Sequence, residues 1–160
     1  EAPGANTLWR ANKATLEPGK PVTLTWQNKQ GITFTRTISL DDNYLFTVEE
    51  KITNAGGATI DVSLYGIITL VIPHTEQQFI LHEGPLGVFG GELEEVGYRE
   101  LVKESKESFT STGGWMGLSD KYWLGAMIPA QAETYTANFS HYLQDGKDRF
   151  QIDYLGKAKR

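Results

Sequence analysis

The sequence contains no cysteine and no long apolar segment. The absence of cysteine excludes disulfide bonds and thiolate chemistry, and it is compatible with both reducing and oxidising compartments. The longest apolar run, residues 65 to 73, has the length of a strand, whereas a helix that crosses a bilayer needs roughly 20 apolar residues. We therefore expect no transmembrane segment in this chain.

Positive charge is also scarce, with 15 Lys and Arg residues against 20 Asp and Glu residues and a net charge of -5. Because binding of nucleic acid requires clustered cations, we predict no nucleic-acid partner. The 160 residues predict one domain with a hydrophobic core. The chain begins with Glu1 and has no signal-like segment, so we expect residues 1–160 to be an excised part of a larger domain.

An alternation of apolar and polar residues dominates the sequence. In residues 32 to 40, the apolar side chains fall on one parity and Thr or Ser on the other, which is typical of a strand with one buried face. The pattern recurs in residues 46 to 53, 60 to 72, 134 to 139 and 150 to 153. Together with Gly- and Asn-rich turns, it predicts an all-β fold, an antiparallel β-sandwich. The predicted core includes Phe34, Ile38, Val62, Leu64, Ile68 and Trp123.

Three stretches depart from this alternation. Arg36 falls on the apolar face of its strand, so we expect it near a sheet edge or opposite a carboxylate. Residues 84 to 97 carry five glycines and predict a mobile excursion or a weakly paired edge. Residues 99 to 108 predict an exposed edge strand with protective charges, with a short solvated helix as the alternative.

The cluster of imidazoles and carboxylates that could carry chemistry consists of His74, Glu76, His82 and Glu83. Such residues could act as general acid and base or, with a third ligand, bind zinc. Their spacing fits neither a helix-borne metal motif nor a nucleophile triad, so we interpret them as structural residues at strand ends. The sequence thus predicts no enzyme activity, no cofactor and no metal.

Four tryptophans form the second candidate site. Trp9, Trp26, Trp115 and Trp123 could line a groove for an extended peptide or a glycan ring. We favour core packing, because Trp26 lies in an alternating strand and Trp115 and Trp123 flank an apolar run. Asp120 and Lys121 predict a turn or one helical loop, followed by a buried strand over residues 122 to 128 that Pro129 ends.

Two separated stretches carry a family resemblance. Residues 113 to 129 read GGWMGLSDKYWLGAMIP, and residues 20 to 40 read KPVTLTWQNKQGITFTRTISL. Both resemble, in the same order, the periplasmic domain of YidC-type membrane-protein insertases, over roughly residues 8 to 140. The resemblance implies a sandwich similar to the galactose-mutarotase-like supersandwich. It leaves open an alternative as a carbohydrate-binding or mutarotase-like protein with a sugar cleft at His74, Glu76, His82 and Glu83.

The resemblance implies a noncatalytic domain on the periplasmic face of the bacterial inner membrane. The parent would be a multi-pass insertase that passes nascent membrane proteins into the bilayer, alone or beside the Sec translocon. For this chain we expect scaffolding, weak holdase activity or contact with Sec-linked membrane proteins, and a purely structural spacer is the remaining alternative. The preferred contact region is residues 84 to 108, with strand addition as the mode of binding. Its candidate contact residues are Glu94, Arg99, Lys103 and Lys106. Exposed strand edges would also permit a homodimer.

Overall fold

A computed structural model describes residues 1–72 and 82–160. The chain divides into two compact units, Glu1–Ile60 and Asp61–Arg160. In the described ranges, no helix is long and apolar enough to cross a membrane. The single domain over residues 1–160 stays a prediction.

The first unit is one antiparallel sheet of four strands in the order β1-β2-β3-β4. The strands are β1 (Arg10–Ala11), β2 (Val22–Gln27), β3 (Ile32–Leu40) and β4 (Phe46–Asn54). Asn28 is buried at the β2–β3 turn, and its Oδ1 accepts hydrogen bonds from the backbone N–H groups of Gln30 and Ile32 at 2.9 and 3.0 Å. This side chain therefore closes the turn that the sequence predicted.

Arg36 meets a carboxylate, as predicted. It lies opposite Glu50 on the neighbouring strand β4, and the two side chains form an ion pair. The guanidinium also stacks over the ring of Trp9, 5.3 Å from the ring centroid. These two contacts stabilise an arginine on the apolar parity of β3, because its charge is paired and its planar group covers an aromatic face.

The described residues of the second unit form two four-stranded antiparallel sheets, with the orders β10-β9-β6-β7 and β5-β12-β11-β8, and one short helix. Its elements are β5 (Tyr65–Ile72), β6 (Gly84–Phe89), β7 (Glu92–Glu95), α1 (Tyr98–Glu104), β8 (Lys106–Thr112), β9 (Trp115–Ser119), β10 (Leu124–Met127), β11 (Thr134–Gln144) and β12 (Lys147–Gly156). The all-β antiparallel sandwich is thus confirmed. Its likeness to the galactose-mutarotase-like supersandwich stays a prediction.

The principal core lies in this second unit. Side chains from both sheets and from α1 form one cluster, which consists of Phe89, Val96, Leu101, Met116, Leu118, Tyr135, Ala137, Phe139, Phe150 and Ile152. Phe89 stacks on Phe109 with ring centroids 4.6 Å apart, and Phe139 tilts against both rings. Each buried large side chain contributes roughly 1.5–3 kcal/mol by leaving water, so this cluster is the main source of stability in the unit.

The predicted core is correct only in part. Phe34 is buried, and Ile68 is half-buried against the core cluster. Ile38 and Val62 are half-buried. Leu64 and Trp123 are 46% and 79% exposed, so their placement in the core was wrong. The physical reason is that both lie outside regular strands, where alternation no longer decides which way a side chain points.

The glycine-rich stretch is better ordered than the sequence indicated. β6 is an inner strand, paired with β7 on one side and β9 on the other. Of the two strands in this stretch, β7 is the one at the edge of the sheet. A Cβ atom at Gly87 would lie 2.7 Å from the carbonyl oxygen of Trp115, so this glycine permits close packing of neighbouring strands. The prediction of a mobile excursion was therefore wrong for β6.

Two further assignments need correction. Residues 98–104 form the helix α1, whose Leu101 is fully buried, so the preferred edge strand over residues 99 to 108 was wrong there. It was right for the start of β8, which is an edge strand. The strand expected over residues 122 to 128 exists as β10, but Leu124 is 52% exposed and the strand is an edge, so its predicted burial was wrong.

Candidate partner-contact surface

The two sheets of the second unit each end in a charged edge strand, β7 and β8, and α1 connects these strands in sequence. We call residues 92–108 the charged edge. The β6–β7 hairpin turns through Gly90 and Gly91, both at positive φ. The backbone N–H of Val96 then donates to the carbonyl oxygen of Pro85 at 2.9 Å, which returns the chain to β6 before the helix begins.

The helix at the centre of the charged edge is firmly attached. Leu101 is buried in the core, and the Tyr98 ring packs against Phe150 with centroids 4.4 Å apart. The helix ends at Ser105, which has a φ of 64° and donates its N–H to the carbonyl oxygen of Leu101 at 2.8 Å. The carbonyl oxygen of Ser105 accepts the N–H of His141 at 2.9 Å. These contacts fix the position of α1, so its exposed side chains project from an ordered backbone.

Negative charge concentrates on this edge. Burial raises the pKa of the Glu107 carboxyl above its ordinary value, and the charges of Glu100, Glu104 and Glu94 raise it further. These three carboxylates are therefore close enough to Glu107 to repel its charge, although the four residues come from β7, α1 and β8. Residues 92–108 contain six glutamates against Arg99, Lys103 and Lys106, so the charged edge has a net negative charge.

The four predicted contact residues lie on these same elements. Glu94 is half-buried in β7, whereas Arg99 and Lys103 are exposed on α1. Lys106 is exposed at the first position of β8. The edge therefore presents cations among the glutamates, an arrangement that can select a partner of complementary charge.

The residues of the suggested sugar cleft are described only in part. His82 and Glu83 are both half-buried just before β6, and His82 Nε2 lies 3.3 Å from the carbonyl oxygen of Pro85, within reach to donate a hydrogen bond. His74 and Glu76 lie outside the described residues. Within residues 1–72 and 82–160, no three His, Asp or Glu side chains are grouped to hold a metal ion. The sugar cleft stays a prediction.

The tryptophans divide between packing and exposure. Trp26 is half-buried against Phe34, with ring centroids 5.5 Å apart, and Trp115 is half-buried in β9. Trp123 and its neighbour Tyr122 instead project from the β9–β10 turn, 79% and 77% exposed. The sequence signal that could have shown this is the Asp-Lys turn immediately before them, since residues at a turn seldom reach the core.

Comparison with known proteins agrees with the resemblance in the sequence. The family model described as the YidC periplasmic domain matches residues 1–160. A protein named membrane protein insertase YidC from Rhizobium etli is 46% identical over 159 residues, which cover 98% of this chain and 26% of that protein. Proteins of the same name from Sinorhizobium fredii and Rickettsia typhi are 46% and 39% identical, over 98% of this chain and 27% and 28% of their own lengths.

This chain spans about a quarter of the length of the curated relatives it matches. The family model matches all 160 residues, and the three insertases are 39–46% identical to the chain. Both comparisons point to the same family. The resemblance carried by residues 20 to 40 and 113 to 129 is thereby confirmed, and the chain belongs to the YidC periplasmic domain family.

Proposed function

We propose that this chain is a noncatalytic domain on the periplasmic face of the bacterial inner membrane, where it supports membrane-protein insertion by holding partner proteins near the insertase. The observation that carries this proposal is the family match over residues 1–160. The partners in this proposal are Sec-linked membrane proteins and, through the parent, nascent membrane proteins.

The charged edge is the surface proposed for these contacts. β7 and β8 are edge strands, whose outer backbone groups are oriented to pair with a strand of another chain. Lys103 and Lys106 are exposed beside the glutamates and would set the orientation of the partner. Because the helix is anchored through Leu101, binding would need little ordering of this surface and would lose little entropy.

Site-specific cross-linking in the parent insertase tests this surface. A photo-reactive residue at Lys103 or Lys106 should capture a membrane partner more often than one at Thr47 in β4 or Thr136 in β11. All four positions are exposed, so accessibility is matched. Equal capture at the four positions would remove the charged edge as the contact surface.

Charge reversal provides a second test. Lys103→Glu together with Lys106→Glu should weaken recovery of Sec-linked proteins with the parent. Lys29→Glu together with Lys51→Glu, at exposed positions of the first unit, changes the net charge equally and is the control, which should leave recovery unchanged. A loss of recovery that is as large in the control would indicate a general effect of net charge.

The noncatalytic assignment has its own test. The purified chain should not accelerate interconversion of sugar anomers, as followed by polarimetry with several aldohexoses. An acceleration that disappears in Glu83→Ala would contradict the assignment and favour the mutarotase-like alternative.

Self-association is a further proposed use of a free strand edge. β4 is an edge strand of the first unit, and its Phe46 and Val48 are 60% and 55% exposed. We expect a concentration-dependent dimer in sedimentation equilibrium that Val48→Lys weakens, because an inserted charge protects an edge from pairing. A chain that stays monomeric at all concentrations would rule this dimer out.

A further inference from the structure

The turn between β9 and β10 presents an unusual group of side chains. We call Lys121, Tyr122 and Trp123 the β9–β10 tip. The two aromatic side chains are 77% and 79% exposed. Leu124, the first residue of the edge strand β10, and Ile128, directly after the strand, are also exposed. Exposed apolar groups that lie together commonly mark a site of interaction.

A fixed turn, and not a loose loop, holds these side chains in water. The Asp120 carboxylate accepts hydrogen bonds from the backbone N–H groups of Tyr122 and Trp123, each at 2.9 Å. The backbone N–H of Asp120 also donates to the carbonyl oxygen of Trp123 at 2.9 Å. These three bonds determine where the aromatic side chains leave the backbone, so the tip is formed before any partner arrives.

The chemistry of the tip matches the boundary between lipid and water. The Lys121 ammonium lies over the Tyr122 ring, 5.1 Å from its centroid. Tyr and Trp combine a large apolar ring with one polar group, and for this reason they concentrate at the level of the lipid headgroups. A lysine beside them can contact lipid phosphate while its carbon chain stays in the apolar layer.

The distribution of charge favours the same partner. β10 and β7 are the two opposite edges of one sheet, so the tip lies at the edge away from Glu92, Glu94 and Glu95. The Asp120 carboxylate accepts hydrogen bonds from two backbone N–H groups but keeps its negative charge, and Glu83 directly precedes Gly84, which pairs with Ser119. An anionic surface can approach Lys121 and the two rings without first meeting the glutamates of β7, and Asp120 and Glu83 reduce its attraction to Lys121, so the aromatic rings carry most of the contact.

We propose that the β9–β10 tip inserts into the headgroup region of a phospholipid bilayer and so fixes one side of the second unit against the membrane surface. Trp123 and Tyr122 supply the apolar contact, and Lys121 supplies attraction to anionic lipid. This role goes beyond the proposed function, because it is a contact with lipid and not with a partner protein. It can fail while the charged edge still binds proteins.

Flotation of the 160-residue chain with vesicles tests the proposal. Vesicles of phosphatidylethanolamine and phosphatidylglycerol should carry the chain to the top of the gradient. The double variant Tyr122→Ser, Trp123→Ser should bind about 10-fold more weakly, because the apolar contact is removed. The control Tyr44→Ser, Leu45→Ser changes two residues of the first unit that are 75% and 55% exposed, and it should bind as the unchanged chain does.

Two further measurements separate the contribution of charge from the insertion of the aromatic rings. Lys121→Glu should weaken binding to the phosphatidylglycerol vesicles and have less effect with vesicles of phosphatidylcholine alone. Lipids brominated on their acyl chains should quench more fluorescence from the unchanged chain than from Trp123→Phe, in which Trp9, Trp26 and Trp115 remain. Circular dichroism should show the same β-sheet spectrum for all variants.

The proposal is overturned if the unchanged chain does not float with either kind of vesicle, or if the double variant floats equally well. It is also overturned if the tip variants abolish a dimer that forms without lipid while vesicle binding is unaffected. That result would assign the tip to a second copy of the chain.

Discussion

The hydroxyl of Tyr98 donates a hydrogen bond to the backbone carbonyl oxygen of Ser119, with the two oxygen atoms 2.6 Å apart. This bond joins the first residue of α1 to the last residue of β9. Ser119 is also bonded to Gly84, because its Oγ accepts the Gly84 N–H at 3.3 Å and lies 3.1 Å from the Gly84 carbonyl oxygen. The helix, β9 and the start of β6 are thus held together at one point.

Removal of the Tyr98 hydroxyl should destabilise the chain. Tyr98→Phe keeps the ring against Phe150 but leaves the Ser119 carbonyl without this donor, so we expect a loss of about 1 kcal/mol in the free energy of unfolding. Urea unfolding followed by circular dichroism measures it. Tyr122→Phe, which removes an exposed hydroxyl, is the control and should change stability by less than about 0.5 kcal/mol.

The same residue predicts a dependence on alkaline pH. Burial raises the pKa of Tyr98, and the charges of Asp120 and Glu83 raise it further. The unfolded chain releases this proton near its ordinary pKa of about 10, whereas the folded chain retains it. Stability should therefore fall as the pH rises above about 10, and the fall should be smaller in Tyr98→Phe. An identical pH profile for the two proteins would mean that Tyr98 does not contribute.

Two aromatic truncations should have very different effects. Phe139 is fully buried between the sheets, so Phe139→Ala should cost roughly 3–5 kcal/mol in the free energy of unfolding. Trp123 is exposed, so Trp123→Ala should cost less than about 1 kcal/mol although it removes a larger ring. Chemical unfolding of the two variants measures both costs. A loss of several kcal/mol in Trp123→Ala would mean that this ring is buried.

Neutralising Glu107 should stabilise the chain at neutral pH. Its carboxyl pKa is raised, so the folded state binds its proton more tightly than the unfolded state does, and stability falls as the pH rises from the ordinary value through the folded value. Glu107→Gln should remove this loss, with a gain of roughly a few tenths of a kcal/mol, the scale of repulsion between exposed like charges. Thermal unfolding at neutral pH, and at a pH low enough to protonate the carboxyl, measures the difference.

Glu92 is the matched control for Glu107, since it is a glutamate on β7 that does not contribute to the raised pKa of Glu107. We expect Glu92→Gln to raise the melting temperature at neutral pH less than Glu107→Gln does. Equal gains in the two variants would indicate that overall net charge, and not local repulsion, is responsible.

The second glycine of the Gly-Gly-Trp sequence should not tolerate a side chain. Gly114 has a φ of 83°, and a Cβ there would overlap the carbonyl oxygen of Val88. Gly114→Ala should therefore cost more than the roughly 1–2 kcal/mol of left-handed strain alone. Gly90, with a φ of 62° and open space around it, isolates that strain, so Gly90→Ala should cost less. Comparison of the two unfolding free energies tests the contact with Val88.

The alternation of apolar and polar residues predicted the strands well, because period two is a local property of an extended chain. The alternation also placed Arg36 on the apolar face of its strand, where a charged side chain needs a partner, and this predicted its pairing with a carboxylate. It could not show that β6 is an inner strand, because the close approach of β9 at Gly87 is a relation between distant parts of the sequence.

The candidate site was predicted less completely than the fold. The sequence predicted a contact region over residues 84 to 108. In the structure, its four candidate contact residues lie on the edge strands β7 and β8 and on the helix α1. That convergence depends on the core anchor Leu101, whose isolated apolar side chain gave too weak a pattern to predict a helix. The exposure of Trp123 was missed because the sequence around a tryptophan beside an apolar run is the same whether its side chain is buried in the core or projects into solvent from a turn.

The pairing of β5 with β12 has a consequence for the order in which the chain can fold. Ile67 lies opposite Asp153, so the sheet containing β5 needs nearly the whole chain before it can close. The sheet of the first unit needs only residues 10 to 54. Because the contacts of the first sheet are closer in sequence, we expect it to form before β5, which has no charged side chain, pairs with β12. An unpaired β5 is then open to pairing with other chains, and a chain truncated before β12 should aggregate more readily than the full 160-residue chain.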